Sequence, residues 1–255
     1  MLLSRLSASL KSLRDGVAAI LSSSPLASVR SAARAIAACG DLHGEEGNQC
    51  PWHCGSSRLC PVCAGRSHRQ HVPRREHIAS VLACHPDHVP VFATLTVRNV
   101  PAERTRRTID SLHRGFDRFR QRWPFRHLAG FARATEITRS ADGSSHPHLH
   151  VYGLLPADSS VTNGALGLLT RRHWQSTMAL NYEPAIDARL LTDSDDAICA
   201  FNYLTKDPIQ VTPDWLQDPA FVLSIAAQFH LPGKRLRLFA SGGVMKPSKA
   251  EFLNS

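Results

Sequence analysis

The sequence has no apolar run of the ~18 residues that a transmembrane helix requires, so no membrane partner is expected. It also has no GxxxxGKS or GxxxxGKT phosphate-binding loop, and a built-in helicase or ATPase is therefore not predicted. Acidic residues are scarce: 21 Asp and Glu stand against 30 Lys and Arg, for a formal net charge of +9. That balance favours a polyanionic partner, most often nucleic acid, although a basic solvated surface gives the same balance.

The seven cysteines do not form the even set that a secreted disulfide framework needs. Four of them lie close together, at Cys50, Cys54, Cys60 and Cys63. Close thiol pairs with a Cys-Pro-x-Cys turn are typical of a structural zinc site in a reducing compartment, so a cytoplasmic location is expected. Two alternatives stay open: a nearby histidine replaces one thiol, or the four are free structural cysteines. The candidate histidines are His53, His68 and His71. The remaining cysteines, Cys39, Cys84 and Cys199, are interpreted as ordinary thiols.

Composition and periodicity divide the chain into three parts. These are a helical or tail segment of unknown role at residues 1–40, a cysteine-rich module at 41–80 and a larger domain at 85–247. Strands are predicted at residues 91–97, 131–138, 148–154, 185–191 and 236–240, and helices at 102–123, 166–182 and 194–206. Because several gaps between strands are hairpin-like, the predicted fold class is α+β. A largely antiparallel central sheet would carry flanking helices, with the small zinc-binding module before it.

The segment HPHLHV at residues 146–151 holds the first candidate site. On a strand, side chains alternate between the two faces, so His148 and His150 point the same way and Leu149 points into the core. Glu136, on the preceding predicted strand, could supply a carboxylate as third ligand. Two imidazoles and a carboxylate with open positions suit Mn²⁺ or Mg²⁺ beside a phosphate, and zinc also fits chemically. The alternative is a histidine-rich strand end that faces solvent.

A second candidate is Tyr203 in the segment FNYLTKDP. On a helix, one face would hold Asp196, Cys199, Tyr203 and Lys206, and the core-facing side would hold Ala197, Ile198, Phe201 and Leu204. A tyrosine one turn before a lysine has the arrangement of a covalent nucleophile. Its phenol is a weak nucleophile because its ordinary pKa is about 10, and a metal-polarised phosphate with a nearby ammonium would offset this. The alternative is a tyrosine whose ring packs at the edge of the domain.

Five motifs in one order resemble the plasmid rolling-circle replication initiators, the single-tyrosine Rep type of the HUH endonuclease superfamily. They are FATLTVRN, ATEIT, HPHLHV, NYLTK and KRLRLFASGGVMK, and the cysteine cluster before them looks similar too. The resemblance covers roughly residues 50–247. It implies the HUH fold for the domain at 85–247. It further implies Tyr203 as nucleophile, Lys206 beside the scissile phosphate, and Mn²⁺ or Mg²⁺ held by His148, His150 and Glu136.

The resemblance also implies the reaction and its partners. Tyr203 would nick single-stranded or hairpin origin DNA, forming a 5′-phosphotyrosine and leaving a 3′-OH primer, and would later rejoin the strand. A host helicase would unwind the DNA, and a host DNA polymerase would synthesise the new strand. Many members of the family carry a carboxylate one turn before the tyrosine, where this chain has Cys199, so the residue that activates water at termination is not identified. Asp196, a further turn back, is the nearest substitute.

Exposed arginines are the expected DNA contacts. The candidates are Arg98, Arg104, Arg107, Arg114 and Arg118. Arginine neutralises phosphates and releases counterions, which adds affinity that does not depend on sequence. The helix at 102–123 also carries acids, so a solvated helix face is the alternative. Other functions stay open for the whole chain: a single-tyrosine transposase or phage initiator with the same chemistry, or a non-catalytic zinc-dependent DNA-binding regulator.

Overall fold

The computed structural model describes residues 7–44, 50–56, 58–70, 72–204, 209, 211–230 and 236–246. Its helices are α1 (Ala8–Ser22), α2 (Ala27–Ala37), α3 (Pro61–Gln70), α4 (Val72–Cys84), α5 (Thr105–Phe119), α6 (Asn163–Thr177), α7 (Ser194–Leu204) and α8 (Pro219–His230). Its strands are β1 (Leu42–His43), β2 (Cys50–Pro51), β3 (His88–Leu95), β4 (Gly130–Arg139), β5 (Ser145–Pro156), β6 (Ile186–Leu190) and β7 (Phe239–Gly243). Short 3-10 helices occur at Ala102–Arg104, Phe125–His127 and Pro213–Gln217. None of the described helices has both the length and the apolar character needed to cross a membrane.

The five longer strands form one sheet in the order β6-β3-β5-β4-β7, and every neighbouring pair is antiparallel. The predicted α+β class with an antiparallel central sheet is therefore confirmed. The two longest strands, β4 and β5, lie beside each other because only a short turn at residues 140–144 joins them, and a short turn forces an antiparallel hairpin. They are the central pair on which the rest of the sheet is built.

The sheet is covered on both faces, and each face has its own apolar cluster. On one face, Leu149 and Val151 of β5 pack with Leu112 and Phe116 of α5 and with Trp174 of α6. Ile109, Leu112, Phe116 and Phe119 of α5 recur every three or four positions and form its buried stripe. We call this side of the sheet the α5 face.

The opposite side of the sheet carries the alternate residues of the same strands. There, Tyr152 of β5 and Ala132 of β4 pack with Ile78 of α4 and with Ala200 and Phe201 of α7. We call this side the α7 face. Since His148 and His150 alternate with Leu149 and Val151, both histidines belong to the α7 face.

The N-terminal segment forms a helical hairpin that packs into a third apolar cluster. Leu21 of α1 and Ile36 of α2 are fully buried there together with Ile225 of α8 and Cys60. Arg14 of α1 is also buried, and its guanidinium donates to the carbonyl oxygen of Cys39 at 2.8 Å and to Asp41 at 2.7 Å. This hairpin is thus tied to the chain that follows it. The division at 1–40, 41–80 and 85–247 stays a prediction.

Two local predictions are corrected by the structure, and one helix was not predicted. The last strand begins at Phe239 rather than at residue 236, and it continues past residue 240 through Gly242 and Gly243. Gly243 closes it at a φ of +60°, so close to the carbonyl of Ala129 that no side chain fits there. Ile198 was expected on the core side of its helix but is 52% exposed. Helix α8 was not predicted, because its apolar residues do not keep to one face.

If the N-terminal hairpin belongs to the cooperative core, a cavity in it should destabilise the protein. Leu21→Ala is expected to lower the free energy of unfolding by about 2–5 kcal/mol, since Leu21 is fully buried. Leu26→Ala, at an exposed position of the same hairpin, should change it by at most about 0.5 kcal/mol. Chemical denaturation followed by circular dichroism measures both. Equal stability of Leu21→Ala and the wild type would show that the hairpin folds separately.

Candidate functional site

The central hairpin brings Glu136, His148 and His150 into contact on the α7 face. Register places Glu136 directly opposite His148 and Ala134 opposite His150. Oε2 of Glu136 lies 2.8 Å from Nε2 of His150 and 3.3 Å from Nε2 of His148. The two imidazole rings stand nearly perpendicular, with centroids 4.8 Å apart. Three potential ligand atoms therefore converge on one point, with both histidines buried and Glu136 half-buried.

These three residues fit a divalent cation in both chemistry and spacing. Neighbouring ligands of an octahedral ion bound at ~2.1 Å lie ~3.0 Å apart, close to the two separations between Glu136 and the histidines. Imidazole nitrogen with carboxylate oxygen is a donor set used for Mn²⁺ and for other first-row ions. Burial alone would raise the pKa of Glu136, but hydrogen bonds from His148 and His150 hold it well below its usual range. The carboxylate is thus ionised, as a metal ligand must be.

The Nδ1 atoms of both histidines, which do not face Glu136, contact groups that orient the rings. Nδ1 of His148 lies 3.1 Å from the carbonyl oxygen of His146, which can only accept a hydrogen bond. That bond uses the proton on Nδ1 and turns Nε2 toward Glu136. Nδ1 of His150 lies 3.2 Å from Oγ1 of Thr94 on the neighbouring strand β3. Thr94 is a positioning residue that the sequence motifs contained but did not single out.

Tyr203 of α7 stands beside this group. Its ring is perpendicular to that of His150, with centroids 4.8 Å apart. Phe92 stacks on the same imidazole at 5.7 Å and meets the ring of Tyr203 edge-on at 6.3 Å. Tyr203 is 39% exposed, so its phenol is open to a large ligand. Burial and the negative charge of Glu136 both raise the pKa of Tyr203. The phenol is therefore neutral near pH 7 and needs positive charge nearby to become a nucleophile.

The other residues of the predicted α7 face are placed as follows. Asp196 and Cys199 are exposed, as Tyr203 is, while Phe201 and Leu204 are buried against the sheet. Lys206 lies outside the described residues, so its predicted place beside the scissile phosphate stays a prediction. A further carboxylate on this side was missed by the sequence analysis. Asp187 of β6 is exposed and lies opposite Thr94, the neighbour of His150, in register.

A second group of possible metal ligands consists of Cys39, Cys54, Cys60 and Cys63, with Cys60 and Cys63 at the start of α3. The Sγ atoms of Cys39 and Cys54 lie 3.5 and 3.6 Å from that of Cys63. Tetrahedral zinc with bonds of ~2.3 Å places its sulfur ligands ~3.8 Å apart, so the spacing fits. Hydrogen bonds from Cys54 and Cys60 lower the pKa of the Cys63 thiol, which favours the thiolate that binds metal.

Cys39 corrects the sequence analysis, which interpreted it as an ordinary thiol. It is fully buried at the end of α2, and the hairpin that holds it returns to the cysteine cluster. His53, weighed as a possible replacement ligand, has its Nδ1 4.0 Å from Sγ of Cys39. The side chain of Cys50, predicted as a ligand, lies outside the described part of the chain, as do those of His68 and His71.

The predicted DNA contacts fall into two sets. Arg98 is exposed just after β3, where its guanidinium covers the ring of Tyr182 at 4.0 Å. The next residue, Asn99, is 2.7 Å from Nδ1 of His146, so Arg98 borders the histidine strand. The second set, Arg104, Arg107, Arg114 and Arg118, is exposed in or just before α5. That helix covers the sheet face opposite to Tyr203, and a helical period alone does not tell which face a helix will cover.

Comparison with known proteins identifies related sequences. The model of a family described as replication protein, Rep_1, matches residues 48–254. Three curated relatives, each named Protein rep, come from Streptococcus pneumoniae serotype 2, Bacillus amyloliquefaciens and Lentilactobacillus hilgardii. The first is 32% identical over 141 residues, 52% of this chain and 43% of the relative. The second is 33% identical over 136 residues, which are 52% of this chain and 40% of the relative. The third is 28% identical over 145 residues, which are 53% of this chain and 44% of the relative.

The chain spans less than half the length of these relatives. No solved structure shows significant similarity to it. The resemblance that the five sequence motifs carry is confirmed at the level of the family.

If Cys39 completes the thiol group, purified protein should contain about one zinc ion per chain, and Cys39→Ser should lose it after mild chelation. The thermal midpoint of Cys39→Ser should fall as well, because a missing ligand weakens a metal bound only by the folded state. Cys84→Ser, at an exposed cysteine outside the group, is the matched control and should keep both values. Unchanged zinc in Cys39→Ser would assign the fourth ligand elsewhere, with Cys50 tested next.

If Thr94 orients His150, then Thr94→Val should bind Mn²⁺ about 10-fold more weakly, in the range found when a partner of a metal-bound histidine is removed. Thr94→Ser keeps the hydroxyl and should bind nearly as well as the wild type. His150→Ala should abolish binding. Titration of Mn²⁺ followed by electron paramagnetic resonance measures all three variants. Equal affinity of Thr94→Val and Thr94→Ser would exclude the positioning role.

Proposed function

Because this chain belongs to the Rep_1 family of replication proteins, we propose that it starts plasmid replication by the rolling-circle route, nicking origin DNA with Tyr203. The observation that carries the proposal is the juxtaposition on the α7 face. An accessible phenol lies in ring contact with His150, which belongs to a group of one carboxylate and two imidazoles that suits a divalent cation. Phosphodiester cleavage of this kind needs a nucleophile next to a site that binds a divalent cation.

In this reaction the oxygen of Tyr203 attacks the scissile phosphorus. The bond between phosphorus and the 3′ oxygen breaks, the phenol gives up its proton, and the departing oxygen takes one up to become a 3′-OH. The products are a 5′-phosphotyrosine and a primer for a host polymerase. Since the covalent link preserves the energy of the phosphodiester bond, the strand can be rejoined by the reverse reaction without ATP.

The chain's own residues prepare the phenol and the phosphate for this step. Tyr203 contacts the rings of both His150 and Phe92, and these contacts place the nucleophile beside the ligand atoms. Mn²⁺ or Mg²⁺ bound by Glu136, His148 and His150 would polarise the phosphate and counter the charge that raises the pKa of Tyr203. Lys206, which lies outside the described residues, is proposed to position the scissile phosphate.

The thiol group is proposed to hold a structural zinc ion. Four protein ligands fill a tetrahedral site and leave no open position for a substrate, so its role would be to hold the chain together. DNA is the proposed partner, either single-stranded or as an extruded hairpin, with a host helicase to unwind it. The exposed arginines would add affinity that depends on salt and not on sequence.

Termination of replication would need a second cleavage, in which a carboxylate activates water. Cys199 occupies the position one turn before Tyr203 where a carboxylate was expected. Two exposed carboxylates stand on this side of the sheet instead: Asp196 on α7 and Asp187 on β6. We propose that one of them does this work, and single replacements by asparagine would tell which one.

Tyr203→Phe tests the nucleophile because it removes only the attacking oxygen and keeps the ring against His150 and Phe92. Folding and DNA binding should survive, whereas nicking of supercoiled plasmid in Mn²⁺ should fall below detection. With the wild type, denaturing gels and mass spectrometry should find the 5′ end of the product attached to Tyr203. Tyr182→Phe, outside this site, should leave the covalent product intact.

Different results would change the proposal in different ways. An adduct on Tyr152 or Tyr182 would move the nucleophile but keep the reaction class. Cleavage by the wild type without any adduct would mean that water attacks, and the rolling-circle mechanism would then be wrong. Absence of nicking on the cognate plasmid would favour a non-catalytic DNA-binding regulator.

A further inference from the structure

A cavity of about 310 Å³ opens on the α7 face beside the candidate site. Its floor is Ala132 of β4, one same-face position along the strand from Ala134, which pairs with His150. Side chains on one face of a strand repeat every two residues, about 7 Å apart, so the cavity is a close neighbour of the site. Phe201 of α7, two residues before Tyr203, forms part of its wall.

Most of the remaining wall comes from the motif KRLRLFASGGVMK, the one sequence motif to which the proposed chemistry gives no role. Six of its residues line the cavity: Arg237, Phe239, Ala240, Ser241, Met245 and Lys246. Register places Ser241 opposite Ala132 and Phe239 opposite Ala134, so both side chains lie on the α7 face. The motif therefore forms the edge of the sheet nearest to the site.

The lining combines apolar surface inside with positive charge at the mouth. Ile78, Phe201 and Met245 are buried, while Arg237 and Lys246 are exposed. Among the described residues that line the cavity, none is acidic. A flat aromatic ring attached to a phosphate matches this combination, since the ring would contact the apolar wall and the phosphate the two cations. The volume lies at the lower end for ligand pockets, which suits one base.

We infer that this cavity binds one nucleobase of single-stranded DNA, at a nucleotide flanking the scissile phosphate, with Arg237 and Lys246 on the adjacent backbone. The inference rests on the proposed function in that it takes DNA to be the ligand. It adds a base-binding subsite made by the C-terminal motif. Its role is to hold the strand so that the scissile phosphate meets Tyr203.

Binding to two fluorescent strands of equal length tests the base subsite. One is oligothymidylate, and in the other every base is replaced by an abasic unit, so both carry the same phosphates. The wild type should bind the strand with bases about ten-fold more tightly, as expected when one base stacks in a pocket. Ser241→Leu should fill the cavity and abolish that preference while binding the abasic strand as the wild type does. Ser176→Leu, an equal change at an exposed position of α6 on the other side of the sheet, should keep it.

A second pair of variants tests the cations at the mouth. Arg237→Gln should weaken binding of both strands and reduce the slope of log affinity against log salt by about one, as expected for one lost phosphate contact. Arg172→Gln removes the same charge from the exposed side of α6 and should leave the slope unchanged. Circular dichroism and thermal melting confirm that each variant folds.

Equal binding of both strands by the wild type overturns the inference, and so does a folded Ser241→Leu variant that still prefers bases. If Ser241→Leu does not fold, an Arg237→Gln variant with the slope of the wild type overturns it instead. The measurements contain no added Mg²⁺ or Mn²⁺ and do not require cleavage. A protein that binds bases in this way but never nicks would disprove the proposed function and leave the subsite standing.

Discussion

The pairing of β4 with β5 places Glu136 opposite His148, and every other feature of the site depends on that register. Because side chains alternate along a strand, a slip of one residue would turn Glu136 toward α5 and away from both histidines. The residues that prevent the slip lie on the opposite face, where Leu149 and Ile137 are fully buried. The apolar core under α5 thus sets the geometry of a polar site that it never touches.

Burying a carboxylate between two imidazoles is costly unless each polar atom has a partner. Here Glu136 is in contact with Nε2 of both histidines. Nδ1 of His148 contacts the carbonyl oxygen of His146, and Nδ1 of His150 contacts the hydroxyl of Thr94. The ligand atoms are consequently held in place by the folded chain itself. Tyr203 contacts the rings of His150 and Phe92 and is 39% exposed, which suits its proposed role of carrying a DNA strand during the reaction.

The sequence was sufficient for those parts of the fold that depend on local patterns. The alternation of apolar and polar residues predicted the strands that carry Glu136, His148 and His150. The spacing of apolar residues by three and four positions predicted the helix that became α5. Contacts between distant segments could not be predicted in this way. Cys39 joins the thiol group only because α1 and α2 fold back as a hairpin, and the buried Arg14 that fastens the hairpin looks in sequence like a surface residue. The cavity beside Ala132 likewise depends on β7 lying next to β4, more than a hundred residues earlier in the chain.

The arginines of α5 and Tyr203, the proposed nucleophile, lie on opposite sides of the sheet. A DNA molecule that reached both would have to turn around an edge of the sheet, and β7 is the edge next to β4. Duplex DNA resists so sharp a turn, since its persistence length of about 50 nm far exceeds the size of a small domain, whereas a single strand bends readily. The sheet would therefore act as a partition that a melted strand passes at far lower cost than an intact double helix. On this geometry, local opening of the duplex would favour the simultaneous occupation of both faces.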